Sequence, residues 1–172
     1  MKYKVTPINK FREMREDDFI VSKTDLKGKI EYANRIFMEF AQMTEQELLG
    51  QPHNIIRHPD MPRAIFKLLW DTVQNGKEIF AYVLNMAKDG SGYWVLANIT
   101  PVRNEKEETV GYYSVRRKPS KKALEYIIPI YKRMLEEEKR NEARDQIEAS
   151  TKILHNLLQE KGMSYEEFVL SI

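Results

Sequence analysis

The residues between 53 and 63, HNIIRHPDMPR, concentrate groups that could do chemistry in one short loop. Its polar and charged side chains are His53, Asn54, Arg57, His58, Asp60 and Arg63. Ordering such groups inside a domain costs free energy unless they hydrogen-bond to one another or to a ligand. Two prolines also limit how far this backbone can move. We therefore expect the functional site of the chain at this loop.

Arg57 is the residue of this loop best suited to a phosphate group, because its guanidinium offers paired donors and keeps its charge. The alternative interpretation is an ion pair between Arg57 and Asp60 that only stabilises the loop. His53, His58 and Asp60 do not have the spacing of a regular metal site, so we predict no bound metal. The absence of cysteine excludes disulfides, thiolate metal sites and a cysteinyl adduct with a ligand.

The composition narrows the classes of function. The 28 basic residues nearly balance the 26 acidic ones, and a net charge of +2 gives little support to nucleic-acid or anionic-membrane binding. No apolar run approaches a bilayer span, and the first residues lack a signal peptide, so we predict a cytoplasmic protein without direct membrane insertion. No Gly-rich phosphate loop, nucleophile elbow or pair of carboxylates on rigid elements is present, so we predict that the chain is not an enzyme.

The hydrophobic periodicity predicts the elements that position the loop. In chain order these are strands near 19–21 and 29–33, a helix from Asn34, a capped helix from Thr44 to Gly50, a helix from Pro62 to Asn75, and strands at about 78–88, 93–103 and 109–117. The predicted fold class is therefore α+β, with a five-stranded antiparallel sheet carrying short helices on one face.

Changes in composition divide the chain into three predicted parts. Residues 1–17 are expected to form a flexible or loosely docked N-terminal arm, and residues 18–119 form the α+β domain. Residues 120–172 form a charged helical extension that would serve signal output or dimerisation. Pro129 should kink or split the first helix of that extension.

Strand alternation predicts a cavity between the sheet and its helices. One face of the strand at 78–88 carries small residues and a single amide, Asn85, which would need a partner such as a planar heterocycle. Trp70 is interpreted first as a core residue, and Arg116 as solvated, although the register of Arg116 could also point it at the ligand. The opposite face is bulky and needs cover from the arm, the extension or another chain. Its residues are Phe80, Tyr82, Leu84, Trp94 and Leu96.

Three stretches, GQPHNIIRHPDMPRAIFKLLWDTVQNGK, LNMAKDGSGYWVLANITPV and GYYSVRRKPS, resemble the PAS sensor domain of bacterial aerotaxis receptors. The resemblance extends from about Phe19 to Leu135 and implies a PAS fold that binds FAD non-covalently, with flavin redox change as the signal. The residues that it implies for flavin binding are Arg57, His58, Asp60, Asn34 and Trp70. Asn85 also matches the flavin-ring asparagine of light-sensing PAS domains, in an N-x-x-K-x-G context. Without their cysteine, adduct photochemistry should be absent.

The function that this resemblance implies is redox and oxygen sensing for energy taxis. An arginine such as Arg116 near the ring would favour an anionic reduced flavin. The sheet surface and the C-terminal helix would relay the redox state to a separate membrane-bound protein of the methyl-accepting chemotaxis type. Formation of a homodimer is a further expectation. The alternatives are a ligand-free PAS adaptor that dimerises, a haem-binding gas sensor with His53 or His58 as ligand, and an enzyme that uses its flavin for turnover.

Overall fold

An antiparallel sheet of five strands forms the centre of the structure, a computed structural model that describes residues 5–172. The strands are β1 (Ile20–Thr24), β2 (Ile30–Ala33), β3 (Ile79–Met86), β4 (Gly92–Arg103) and β5 (Thr109–Arg117), in the spatial order β2-β1-β5-β4-β3. The helices are α1 (Arg35–Ala41), α2 (Glu45–Leu48), α3 (Arg63–Gln74), α4 (Lys121–Arg140), α5 (Gln146–Lys161) and α6 (Tyr165–Ser171), with a 3-10 turn at His53–Ile56. The predicted α+β fold with a five-stranded antiparallel sheet is confirmed.

The helices that frame the central loop begin and end within two residues of the predicted bounds. Thr44 and Glu47 form a reciprocal capping box at the start of α2, as predicted. Helix α3 begins at Arg63, one residue later than predicted, with Pro62 as the residue before its first turn. The loop between these helices is therefore fixed at both ends, and it lies against β3 through a backbone bridge between Arg57 and Asn85.

The extension does not split at Pro129. Helix α4 runs without interruption from Lys121 to Arg140, and the chain breaks instead at residues 141–145. Pro129 lies on the exposed side of the helix, where water can reach the carbonyl that loses its hydrogen bond. The opposite side buries Ala123, Ile127, Tyr131, Met134 and Glu138 in one continuous stripe. Burial of that stripe favours a single helix across the proline.

The C-terminal extension covers the bulky outer face of β3 and β4. The Tyr131 hydroxyl donates to the Tyr82 carbonyl at 2.7 Å, and the Tyr131 ring lies 6.0 Å from that of Trp94. The Tyr82 hydroxyl in turn donates to the Val169 carbonyl of α6. The sequence analysis left open whether the arm, the extension or another chain covers this face. The extension covers most of it at β3 and β4.

The N-terminal arm also docks on this part of the sheet. The arm backbone at Lys10 and Arg12 pairs with Gly92, at 2.9 and 2.8 Å, and the Phe11 ring approaches Gly92 so closely that a Cβ there would collide with it. Met14 is buried in the core. Residues 8–12 are thus held at the start of β4, while residues 1–4 of the predicted arm lie outside the described residues.

Candidate functional site

A cavity of about 520 Å³ lies between the inner face of the sheet, helix α3 and the polar loop. That volume falls in the usual range of small-molecule sites, roughly 300–1,000 Å³. The sheet contributes Val83, Asn85, Ala97 and Ile99, the small side chains that strand alternation places on the inner face. The cavity therefore lies where the sequence predicts it.

The charged residues that line the cavity all carry the same sign. Lys27, Arg57 and Arg116 are cationic, and no Asp or Glu lines the cavity within residues 5–172. Helix α3 and the strands otherwise contribute mainly apolar and aromatic groups, including Phe66 and Trp70. An apolar cleft with only positive charges suits a flat ligand that carries anionic groups.

Asn85 brings an unsatisfied amide to this cavity. Its side chain is 4% exposed, and its Nδ2 has no hydrogen-bond partner among the described residues. An unpaired buried donor costs about 1–3 kcal/mol. A ligand that presents an acceptor to Nδ2 would offset this cost.

Arg116 is buried, and the expectation that it would be solvated is wrong. β5 is a central strand, since Arg116 lies opposite Ile20 of β1 and Ala97 of β4. Burial lowers the pKa of Arg116 to about 10, which still leaves the guanidinium cationic at neutral pH. Its Nη2 donates to Ser22 Oγ at 2.6 Å, whereas Nε and Nη1 have no partner in the described part of the chain. Arg116 thus brings to the cavity wall a buried cation whose Nε and Nη1 donors are unsatisfied among the described residues.

His53 also lines the cavity, although the sequence suggested it only as a metal or haem ligand. Its Nε2 lies 3.0 Å from Ser22 Oγ, and its ring stacks on Phe37 with 5.8 Å between centroids. Burial, together with the positive charge of Arg116, lowers the pKa of His53 to about 3. The imidazole is therefore neutral at physiological pH. The only feature of the sequence that pointed to His53 as a lining residue was its position in the polar loop. No feature of the sequence pointed to Ser22 as its partner.

Arg57 lies at the cavity and is held by the loop itself. Its Nη2 donates to the Met61 carbonyl at 3.2 Å, and its guanidinium lies 4.0 Å above the Phe66 ring. Desolvation lowers the pKa of Arg57, partly opposed by the negative charge of Glu138. Within residues 5–172 it makes no ion pair with Asp60, so that alternative interpretation is wrong. Within the described residues, Arg57 can therefore face an anionic ligand without a carboxylate in an ion pair with it.

His58 and Asp60 shape the loop and do not line the cavity. The buried His58 accepts the Asp60 backbone N–H at Nδ1, at 3.0 Å, and the exposed Asp60 carboxylate lies 3.9 Å from the same nitrogen. Desolvation lowers the pKa of His58, so the ring is a neutral acceptor in this turn. These two residues fix the backbone that carries Arg57.

Asn34 has a structural role outside the cavity lining. Its Oδ1 accepts the N–H groups of Val21 and Phe37, both at 3.0 Å, and its Nδ2 donates to the Phe19 carbonyl. It thereby caps α1 and ties that helix to β1.

Trp70 does line the cavity, packed edge-on against Tyr112 with 5.5 Å between centroids. It also contacts Gly28 in the β1–β2 turn, where a Cβ would lie 2.9 Å from Trp70 Cη2 and where φ is +79°. Gly28 is therefore required both for its backbone conformation and for the close approach of the indole. Lys27 lies beside this contact and also lines the cavity.

Two further possibilities receive no support from the described residues. No three His, Asp or Glu side chains among residues 5–172 lie close enough together to hold a metal ion. Within the same range, none of the helices has the length and apolar composition needed to cross a bilayer.

The fold and the site together define a class of protein: an α+β domain that holds a small-molecule cavity, lined by cationic residues, between its sheet and its helices. The chain belongs to the PAS fold family, whose model matches residues 30–116. It is 40% identical over 119 residues to the aerotaxis receptor of Escherichia coli (strain K12), a match that covers 69% of this chain and 23% of the receptor. The resemblance to the PAS domain of aerotaxis receptors is confirmed.

Other relatives agree with this assignment. The nitrogen fixation regulatory protein of Klebsiella pneumoniae is 29% identical over 107 residues, which cover 62% of this chain and 22% of that protein. The chain thus spans less than a quarter of the length of these two curated relatives. Their shared part corresponds to a sensory PAS domain of signalling proteins.

Solved structures share the fold. The light-state structure of the photoreceptor Aureochrome1 LOV has a TM-score of 0.56 at 24% identity, and the match covers 66% of this chain and 90% of that one. A PAS domain from Colwellia psychrerythraea has a TM-score of 0.55 at 23% identity, covering 60% of this chain and 87% of that one.

Proposed function

We propose that this protein is a redox and oxygen sensor for energy taxis that binds FAD non-covalently in the cavity. The observation that carries the proposal is the set of unsatisfied buried donors, Asn85 Nδ2 and Arg116 Nε and Nη1, in an otherwise mainly apolar cavity. The polar edge of an isoalloxazine ring presents two carbonyl oxygens that accept such hydrogen bonds, beside an N–H group that donates. The donor set therefore fits a flavin.

The charges at the cavity also fit a dinucleotide. Arg57 and Lys27 line the cavity and would hold the pyrophosphate, while His58 and Asp60 keep the Arg57 loop in place. Trp70 would close one side of the ring pocket. Bound flavin would supply reversible electron transfer, and the Arg116 cation would favour the reduced, electron-rich form.

Two similarities support a flavin in particular. The resemblance to the PAS domain of aerotaxis receptors implies FAD, with the residues given above. A light-oxygen-voltage domain from work on a flavin analogue also shares this fold, with a TM-score of 0.55 at 25% identity.

Signal output would use the sheet surface and the extension that covers it. The cavity lies on the inner face of β3 and β4, and the extension packs on the outer face of the same strands through Tyr82 and Trp94. A change in the ligand can bias two conformations only by interacting differently with each of them. We propose that the relay ends at a membrane-bound protein of the methyl-accepting chemotaxis type, reached from the cytoplasm, and that the sensor works alone or as a homodimer.

The absorption spectrum of the purified full chain tests this proposal. We expect flavin bands as isolated, or after addition of excess FAD followed by gel filtration. The matched variant Arg116→Met should retain less flavin, whereas Arg117→Met, at the next and exposed position of β5, should retain as much as the original protein. A folded chain that stays colourless with excess FAD would overturn the proposal.

The same spectrum separates the rival functions. A Soret band would indicate a haem sensor, which is less well supported because His53 Nε2 already pairs with Ser22 and because His58 does not line the cavity. A ligand-free adaptor would leave the donors of Asn85 and Arg116 unsatisfied. Steady-state oxidation of NADH by the isolated protein would indicate an enzyme that turns over its flavin.

A further inference from the structure

Three side chains form a hydrogen-bonded row at the cavity. Arg116 Nη2 donates to Ser22 Oγ at 2.6 Å, and Ser22 Oγ lies 3.0 Å from His53 Nε2. A guanidinium can only donate, so the Ser22 oxygen accepts from Arg116 and its hydroxyl proton remains available to His53. The Ser22 oxygen has a second lone pair, but the described residues offer this buried hydroxyl no other acceptor, so we assign His53 Nε2 as the acceptor and Nδ1 as the protonated nitrogen of a neutral ring.

The packing around the row fixes its members. The Arg116 guanidinium lies 4.4 Å from the centroid of Phe37, and the His53 ring stacks on the same phenyl group. The three polar residues come from different elements: β5, β1 and the 3-10 turn. Tyr93 of β4 is a further titratable group that interacts electrically with Arg116, and burial raises its pKa so that it stays neutral. Arg116 is thus the sole charge in this cluster of described residues.

We infer that Ser22 and His53 are positioning residues that fix the orientation of Arg116, leaving its Nε and Nη1 donors to the electron-rich edge of the bound flavin. This inference rests on the proposed function, because it assigns a role to residues beside the same ligand. The hydrogen bond accepted by His53 orients the Ser22 hydroxyl, and the Ser22 oxygen holds Nη2. If either link is missing, the guanidinium can turn away from the ring.

The orientation of Arg116 should affect the midpoint potential of the flavin. A fixed cation with two free donors binds the reduced, more electron-rich ring better than the oxidised ring. Loss of its orientation should therefore reduce the preference for the reduced form. A tenfold reduction corresponds to a potential about 30 mV lower for a two-electron couple.

The matched variants are Ser22→Ala, His53→Phe and His53→Gln in the flavin-loaded full chain. His53→Phe keeps an aromatic ring against Phe37 but removes the acceptor, whereas His53→Gln keeps an acceptor and removes the ring. We expect Ser22→Ala and His53→Phe to lower the preference for reduced flavin by about tenfold, and His53→Gln to retain most of it. Potentials would be measured by titration with a chemical reductant at neutral pH, with Arg117→Gln as the surface-charge control.

The outcomes separate this inference from the proposed function. A wild-type chain that takes up no flavin defeats the proposed function. Unchanged potentials in Ser22→Ala and His53→Phe, or equal decreases in His53→Phe and His53→Gln, overturn the positioning role. In the chain without flavin, ¹⁵N NMR of the histidines should show His53 protonated at Nδ1 only. A proton on Nε2 of His53 would reverse its hydrogen bond with Ser22 and overturn the assigned orientation of the Ser22 hydroxyl.

Discussion

The Glu138 carboxylate of α4 accepts a hydrogen bond from the Ala64 backbone N–H in the first turn of α3, at 3.2 Å. The same carboxylate accepts from the Arg63 N–H at 3.0 Å and from the Ser150 hydroxyl at 2.7 Å. Pro62 supplies no side-chain cap, so the extension caps the helix that carries Trp70. The carboxylate also complements the positive end of the α3 dipole. The buried Glu138 therefore links helix α3, which forms one wall of the cavity, to the C-terminal extension.

Replacing this cap should destabilise the whole fold. Glu138→Ala leaves the buried Ala64 N–H, the partly buried Arg63 N–H and the Ser150 hydroxyl without this acceptor, and we expect a loss of about 2 kcal/mol in the free energy of unfolding. Urea denaturation followed by circular dichroism measures it. Glu136→Ala, at an exposed position of the same helix, is the control. Equal stabilities of the two variants would show that the cap contributes little.

The effect of the Gly28–Trp70 contact can be separated from that of backbone strain by comparison with a second glycine, Gly50. Gly28 and Gly50 have nearly the same φ, +79° and +78°, but only Gly28 faces a neighbour, since nothing lies within 4 Å of a Cβ at Gly50. Each Ala substitution should cost about 1–2 kcal/mol of backbone strain. Only Gly28→Ala should also displace Trp70 and weaken FAD binding in a titration. Equal FAD affinities in the two variants would argue against a role for this contact at the site.

Asn85 should show opposite effects on stability and on binding. Asn85→Leu removes the unsatisfied Nδ2 from the chain without ligand, so we expect its free energy of unfolding to be unchanged or up to about 1 kcal/mol higher. Its affinity for FAD should fall by about tenfold or more, because a donor to the ring is lost. Denaturation without flavin and FAD titration are the two measurements. Lower stability without flavin would mean that the amide has a partner inside the protein.

Acid should destabilise the fold through His53. Its pKa is about 3 in the folded chain against an ordinary value of 6.5, so between these values only the unfolded chain binds the proton. Stability therefore falls as the pH drops below 6.5, by up to about 1.4 kcal/mol per pH unit. Comparing His53→Phe with the wild type between pH 7 and pH 5 isolates this residue, since His58 is present in both. Parallel pH profiles would show that His53 does not stay neutral in the folded chain.

Arg57 and Asp60 allow a test of ligand contact against loop support. Arg57→Ala removes a cationic lining group and should reduce FAD occupancy by about tenfold while the domain stays folded. Asp60→Ala leaves the lining intact but removes the carboxylate beside His58, so a smaller reduction is expected. Occupancy after gel filtration is the measurement. Full occupancy in both variants would defeat the assignment of this loop to the site.

Period-two alternation was sufficient to predict the cavity, because it states which side of a strand each residue occupies. Asn85 and Val83 therefore fell on the correct face. The same pattern does not state which strands are neighbours. It therefore cannot show that β5, the last strand in the chain and the one that carries Arg116, lies in the middle of the sheet. Its burial follows from that spatial order.

Local sequence patterns also could not predict contacts between segments that lie far apart in the chain. Pro129 was expected to kink or split its helix, whereas the buried stripe that runs past it keeps α4 continuous. Ser22 joins His53 across 31 residues and Arg116 across 94, distances at which no motif or spacing could pair them. The polar loop indicated where the site lies, but not which of its residues face the cavity.

The helices that cover Tyr82 and Trp94 restrict how any other molecule can use that surface. A partner that recognises the outer face must first displace α4 and α6, so its apparent affinity is the intrinsic affinity reduced by the population of the open form. A ligand state that loosens these helices would then strengthen association without altering a single atom of the contact surface. Sensitivity to the signal would depend on how rarely the resting protein opens.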